Sequence, residues 1–241
     1  TENKGYRILT FSFLFNFQRS NSSAKVTPVI EEIGKPWFIE TVATYPEADV
    51  DIILVFGHLP ITDDDFHEIN HLHSHLRSIY PNTVIQYFGG HSHIRDFAVF
   101  DDKSTGLQSG RFCETVGFLS IDGVTDDSPK FSRRYIDFNM RSFMHHTGVS
   151  KAPDFHTKKG LEISDAIEVL RDTLNLTEVV GYIPQSYYMY SKPIDSHKNI
   201  YNFLTSKVLP RLRSDATDDS KTRFIMINTG SIRYDLHKGE F

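Results

Sequence analysis

Two short stretches set imidazoles directly after glycine: Gly57-His58-Leu59-Pro60 and Gly89-Gly90-His91-Ser92-His93. Glycine lets a backbone turn sharply and approach a ligand closely. Neutral imidazole is a common ligand for zinc, iron and related ions. Two positions apart, His91 and His93 can serve two neighbouring ions. Two readings stay open at this level: three histidines forming part of a metal site, or turn histidines facing water. A third stretch, Asn228-Thr229-Gly230-Ser231-Ile232-Arg233, places an amide and a guanidinium five positions apart across a glycine turn. Together they can reach one ligand, the amide on a base edge and the guanidinium on phosphate or ribose oxygens. The same residues also suit an ordinary surface loop.

His67-Glu68-Ile69-Asn70-His71 matches the zinc-protease pattern His-Glu-x-x-His, which needs both histidines on one helical face. Helical spacing instead gives Phe66, Ile69, Leu72, Leu76 and Ile79 one apolar face, and puts His67, His71 and His75 on the roughly opposite side. That is the pattern of a solvated helix face. The extended protease pattern also requires glycine where Ser74 stands. His145 and His146 are expected to face solvent. Cys113 is expected to be a buried packing residue, and Trp37 and Phe38 to pack a core edge.

The elements that must position these groups alternate. Phe11, Phe13, Phe15 and Phe17 recur at every second position, so Tyr6–Phe17 reads as a strand. Pro28–Thr44 reads as a helix with an irregular start. The continuous apolar run from Asp51 to Phe56 reads as a strand buried on both faces and stops at Gly57-His58. A helix is expected from near Asp63, whose acidic start suits a helix N-terminus, to Tyr80. The strand Thr83–Phe88 stops at Gly89-Gly90-His91. Strands are then expected at Phe97–Phe100, Thr115–Ile121 and Arg133–Phe138. Residues 141–160 lack periodicity and contain Gly148, Pro153 and Gly160, so they read as a linker. Beyond it the spacing predicts helices over Leu161–Leu174 and Asn199–Leu212, and a buried strand over Thr222–Ile227 that stops at Asn228. Open α/β sheets put ligand groups at the carboxyl ends of their strands. His58, the His91–His93 pair and Asn228 all fall there.

Composition narrows the class. The 241 residues are 39% hydrophobic and 24% charged, which is globular rather than disordered or collagenous. A net charge of −5 gives no basic stripe for a dedicated nucleic-acid partner. A single cysteine excludes a disulfide framework and a cysteine-based zinc ribbon. No hydrophobic run is long enough to span a membrane. Two glycosylation sequons, Asn21-Ser22-Ser23 and Asn175-Leu176-Thr177, tilt toward a secretory route.

Taken together, these motifs resemble the 5′-nucleotidase family of the calcineurin-like metallophosphoesterases, in a fungal-type branch. Gly57-His58 is similar to the family's fourth motif, and Gly90-His91-Ser92-His93 to its terminal Gly-His-x-His motif. Gly110 to Ile121 is similar to the Gly-rich strand pair that closes the catalytic domain. Asn228 to Arg233 resembles the Asn-x-Gly-x-x-Arg signature of a separate C-terminal domain.

The resemblance implies an α/β architecture. Residues 1–140 would be the C-terminal half of a four-layer α/β/β/α metallophosphoesterase sandwich. A linker over 141–160 would follow, then a linking helix and the start of an α/β nucleotidase C-terminal domain over 161–241. It implies two divalent metal ions, zinc or manganese, with His58 and His91 on one and His93 on the other. Asn228 and Arg233 would contact the nucleoside part of a nucleoside monophosphate, hydrolysed to nucleoside and phosphate outside the cytoplasm.

There are departures from the family pattern. Its first three motifs, with Asp-x-His, a bridging Asp, an Asn ligand and the catalytic His, are absent and would lie before Thr1. No catalytic residue is therefore expected in this chain. The aromatic pair that sandwiches the base would lie beyond Phe241. The segment Asp195–Asn202 holds Lys198 where the family often has a substrate-binding arginine, and a point charge is not a bidentate fork. The sequence thus reads as an internal piece of a longer enzyme. A non-catalytic binding or scaffold protein on the same fold is the alternative of a different class.

Overall fold

The computed structural model describes residues 5–18, 21–62, 67–213 and 220–241. Contacts divide the chain into two units, Thr1–His156 and Thr157–Phe241. In the first unit the elements run β1 (Ile8–Leu14), α1 (Val29–Glu32), α2 (Pro36–Thr44), β2 (Ile52–His58), α3 (Glu68–Ile79), β3 (Val84–Gly89), β4 (Arg95–Asp101), β5 (Ser104–Ser109), β6 (Thr115–Asp122), β7 (Lys130–Asp137), α4 (Met140–Thr147) and α5 (Ala152–Phe155). Five strands form one sheet in the order β1-β2-β3-β5-β4. Its first three pairings are parallel and β4 runs antiparallel to β5. β6 and β7 form a separate antiparallel pair. The chain is therefore α/β.

The core follows from strand alternation and one helical stripe. Phe11 and Phe13 point inward from β1 and meet Phe38 of α2, which is fully buried. Ile53, Val55 and Ile85 fill the sheet face beneath Ile69, Leu72 and Leu76 of α3. Phe15 is half-buried and Phe17 exposed, because the strand ends at Leu14. Phe38 packs the core while Trp37 keeps 43% of its surface and hydrogen-bonds Glu32 through its indole N–H.

Several expectations change. The helix expected over Pro28–Thr44 is two helices, because Pro36 opens a new one and disfavours helical backbone at Lys35. The helix expected from near Asp63 is described from Glu68, and residues 63–66 lie outside the described part. β5 carries no hydrophobic alternation, so its Ser, Thr, Gly and Gln sequence does not announce a strand. It is nonetheless buried from Ser104 to Gln108 between β3 and β4, its polar side chains bonded to neighbours. The segment 141–160 contains helices, with Asn139 capping α4 through the backbone N–H of Ser142 and a left-handed Gly148 ending it.

The second unit holds α6 (Lys158–Thr173), β8 (Tyr182–Ile183), α7 (Ile200–Phe203) and β9 (Gly239–Glu240). Thr157 caps α6 through the N–H of Gly160. α7 runs on through a wider helical turn, Leu204–Val208, into a tight turn at Leu209–Arg211. Tyr187 packs on Phe203 with ring centroids 4.2 Å apart. Buried Asn199 caps α7 at the N–H of Tyr201 and donates to the carbonyl of Lys192. The strand expected over Thr222–Ile227 does not form: these residues join no ladder, and Phe224 and Met226 are 89% and 95% exposed. An apolar run becomes a strand only when another strand takes up its backbone groups, and no pairing to this run forms among the described residues.

Candidate functional site

β2 delivers His58 as its last residue, paired with Leu14 of β1. Gly57 is required there: a Cβ on it would stand 2.0 Å from the carbonyl oxygen of Phe13. β3 ends at Gly89, where a Cβ would meet the carbonyl oxygen of Leu59 at 2.5 Å. The N–H of Gly90 then donates to that same carbonyl at 2.7 Å, tying the two strand ends together. Beyond it His91 and His93 both take left-handed backbone, with φ of 74° and 62°. Non-glycine residues rarely hold that conformation unless their surroundings impose it.

This turn brings two of the three expected ligands into contact. His91 Nδ1 and His58 Nε2 lie 3.2 Å apart, with the rings edge-on at 70°. Phe15 stacks on His91 at a centroid separation of 3.7 Å and lies 5.6 Å from His58. Both histidines are exposed to solvent. His93 is also exposed, and its ring lies 6.2 Å from that of Phe112 in the loop between β5 and β6. Among the described residues no three His, Cys, Asp or Glu side chains gather closely enough to form a metal site by themselves. Cys113, in the same loop, is exposed rather than buried, because left-handed turns at Phe112 and Cys113 carry it outward.

The zinc-protease geometry is not made. His67 precedes α3 in left-handed backbone, so it shares no helical face with His71. Glu68 is buried, and both its carboxylate oxygens accept chain amides, from Asn16 at 2.7 Å and Val29 at 3.0 Å. His71 faces solvent as expected, whereas His75 is half-buried against Phe38.

His73 belongs to no motif of the sequence. Its Nε2 lies 3.0 Å from Asp101 Oδ2 and its Nδ1 3.0 Å from the hydroxyl of Tyr87. These partners assign Nε2–H as the donor to Asp101, with Tyr87 donating to Nδ1. Burial lowers the His73 pKa, Asp101 opposing it and Arg77 adding to it. Burial alone would raise the Asp101 carboxyl. Hydrogen bonds from Ser104, the Lys103 N–H and Arg77 outweigh that and hold it below the usual range. Arg77 also donates to the carbonyls of Tyr80 at 2.7 Å and Thr83 at 2.8 Å. Burial pushes the Tyr87 hydroxyl far up, so this tyrosine–histidine–aspartate chain holds no available nucleophile. Four residues after Ile69 it stands on the edge of the apolar stripe of α3, a position the helical spacing shows, while its partners depend on β3 and β4 arriving alongside.

In the second unit Asn228 Oδ1 accepts from the N–H of Gly230 at 2.9 Å, forming a local turn. Arg233 lies exposed and donates to the Gly230 carbonyl at 3.4 Å. The turn keeps the amide and guanidinium on one short loop.

The known relatives of this chain share its mixed α/β frame and extend to its second unit. Residues 186–241 match the family model of the NAD nucleotidase C-terminal domain. The chain resembles the crystal structure of a 5′-nucleotidase from Candida albicans with a TM-score of 0.87 and 47% identity, over 98% of this chain and 44% of that one. An uncharacterized protein of Saccharomyces cerevisiae is 54% identical over 98% of the chain, and another of Schizosaccharomyces pombe 38% over 98%. A protein of Arthroderma benhamiae named as secreted is 33% identical over the whole chain. The chain spans about two fifths of the length of these curated relatives, at 40%, 43% and 41%. It is related to the 5′-nucleotidases, as its motifs imply.

Proposed function

We propose that this chain is part of a metal-dependent nucleotidase that hydrolyses the phosphomonoester of a nucleoside monophosphate. The observation that carries the reading is the 3.2 Å between His91 Nδ1 and His58 Nε2. Two imidazole nitrogens bound tetrahedrally to one zinc at about 2.0–2.1 Å stand roughly 3.3 Å apart. That separation supports assigning both side chains to one shared ion. His93, two residues on in the same turn, is assigned to the second ion of a zinc or manganese pair. When bound, such a pair activates water and neutralises phosphate charge during in-line displacement.

The chain's own residues orient. Gly57 and Gly89 allow the strand ends to close up, Phe15 holds the His91 ring, and the exposed face leaves the phosphate room to enter. Asn228 and Arg233 are assigned to the nucleoside part. The five-stranded sheet with the β6–β7 pair is read as part of a four-layer sandwich. Export from the cytoplasm is supported by the secreted relative and by exposed sequon residues Asn21 and Asn175. No helix of the described residues is long and apolar enough to cross a membrane.

The test uses the complete protein, with bound metal measured by mass spectrometry and phosphate release from a nucleoside monophosphate. His91→Ala and His58→Ala are expected to empty one metal position and lower kcat/KM about 100-fold or more. Unchanged activity in both variants would overturn the site. Wild-type protein that binds no divalent metal would instead favour a scaffold on the same fold.

A further inference from the structure

Gln108 sits near the end of β5, beside Gly89 of β3 and Asp96 of β4, and is 1% exposed. Its side-chain amide spends both N–H groups on the histidine turn. One goes to the hydroxyl of Ser92 at 2.5 Å and the other to the carbonyl of Ile94 at 2.9 Å. Those acceptors flank His93 on either side. The amide cannot be reversed, because its oxygen would then face the Ile94 carbonyl, acceptor against acceptor. Among the described residues, Gln108 Oε1 is the buried side-chain polar atom left without a partner. Burying an amide oxygen unpaired is unfavourable, and methionine or leucine would fill the same space without that cost. Packing does not explain a glutamine here, whereas the two donors it delivers to the turn do. The turn needs such restraint, since His91 and His93 both hold left-handed backbone.

We infer that Gln108 is the positioning residue of the histidine turn, fixing Ser92 and Ile94 so that His91 and His93 are presented to metal. This rests on the metal reading above. The probe is Co(II) alone, added to the complete metal-free protein. Affinity is measured against a competing chelator, together with the visible ligand-field spectrum and the Tm without metal.

Outer-sphere partners of metal ligands are typically worth 10–100-fold in affinity. Gln108→Met and Gln108→Glu are expected to weaken Co(II) binding about 10–100-fold and to alter the spectrum. Affinity and spectrum matching wild type in both, while His91→Ala loses binding, would overturn the positioning role even if Tm falls. Wild type binding Co(II) no better than His91→Ala would overturn the metal reading, and this inference with it. If neither Gln108 variant folds, Ser92→Ala removes one bond at an exposed position. It is expected to weaken Co(II) binding by about threefold or more, and no change would overturn the inference.

Discussion

The first unit contains two histidine sites built from the same strands, and they differ in what is left over. At His73 both ring nitrogens are engaged, by Asp101 and by Tyr87, and Arg77 closes the remaining carboxylate and carbonyl positions. At His58 and His91 the ring nitrogens face each other at the solvent edge. One imidazole is consumed in holding α3 to the sheet, while the other two lie exposed at the solvent edge with their ring centroids 5.1 Å apart. Density of histidine in the sequence is no guide to this, because the helix with the denser cluster supplies the closed site. The useful distinction is whether the fold encloses the ring or leaves it at the surface.

That contrast can be broken most directly by exchanging readouts. His91→Ala should remove metal and about 100-fold or more of kcat/KM, with the Tm of the metal-free protein near wild type. Arg77→Ala should do the reverse. It leaves Asp101 and two carbonyls short of partners, at a cost of about 2 kcal/mol after discounting for partial exposure. Urea unfolding of the complete protein measures this. Metal content equal to wild type keeps the two sites distinct, and a parallel loss of metal would merge them.

Acidification sharpens the same comparison with a smaller effect. The folded state resists protonating His73, whereas the unfolded chain takes up that proton near pH 6.5. Stability is therefore full above about pH 6.5 and falls as pH drops below it. Asp101, also held below its ordinary value, adds loss of the same sign below about pH 4. A plot of Tm against pH should show the first decline in wild type and a flatter line in His73→Gln. An identical slope in the two proteins would remove His73 as the cause.

The smallest effect expected belongs to the second unit, where among the described residues Asn228 and Arg233 bond to Gly230 of their own loop. Arg233→Ala should raise KM for a nucleoside monophosphate about fivefold, the worth of one net hydrogen bond of about 1 kcal/mol. Bound metal should not change. A drop in kcat at constant KM would contradict a role in binding the nucleoside.

Much of this was legible in the residues. The apolar runs ending at Gly57-His58 and at Gly89-Gly90-His91 are strands ending there, because a continuous apolar run bounded by glycine has few other ways to fold. β5 was hidden, since Ser104, Thr105 and Gln108 are buried only by virtue of partners from α3, β3 and the histidine turn. The run Thr222–Ile227 failed in the opposite sense, being apolar enough for a strand yet unpaired.

By itself the sequence determined the α/β alternation, the glycine turns and the placing of His58, His91 and His93 at strand ends. These depend on local periodicity and on the close approach of strands that a residue without a Cβ allows. Only the tertiary structure decided that His91 Nδ1 meets His58 Nε2, that His73 is closed, and that Gln108 braces the turn. Each of those depends on strands far apart in sequence lying side by side, and hydrogen-bond satisfaction is a property of the neighbours rather than of the residue.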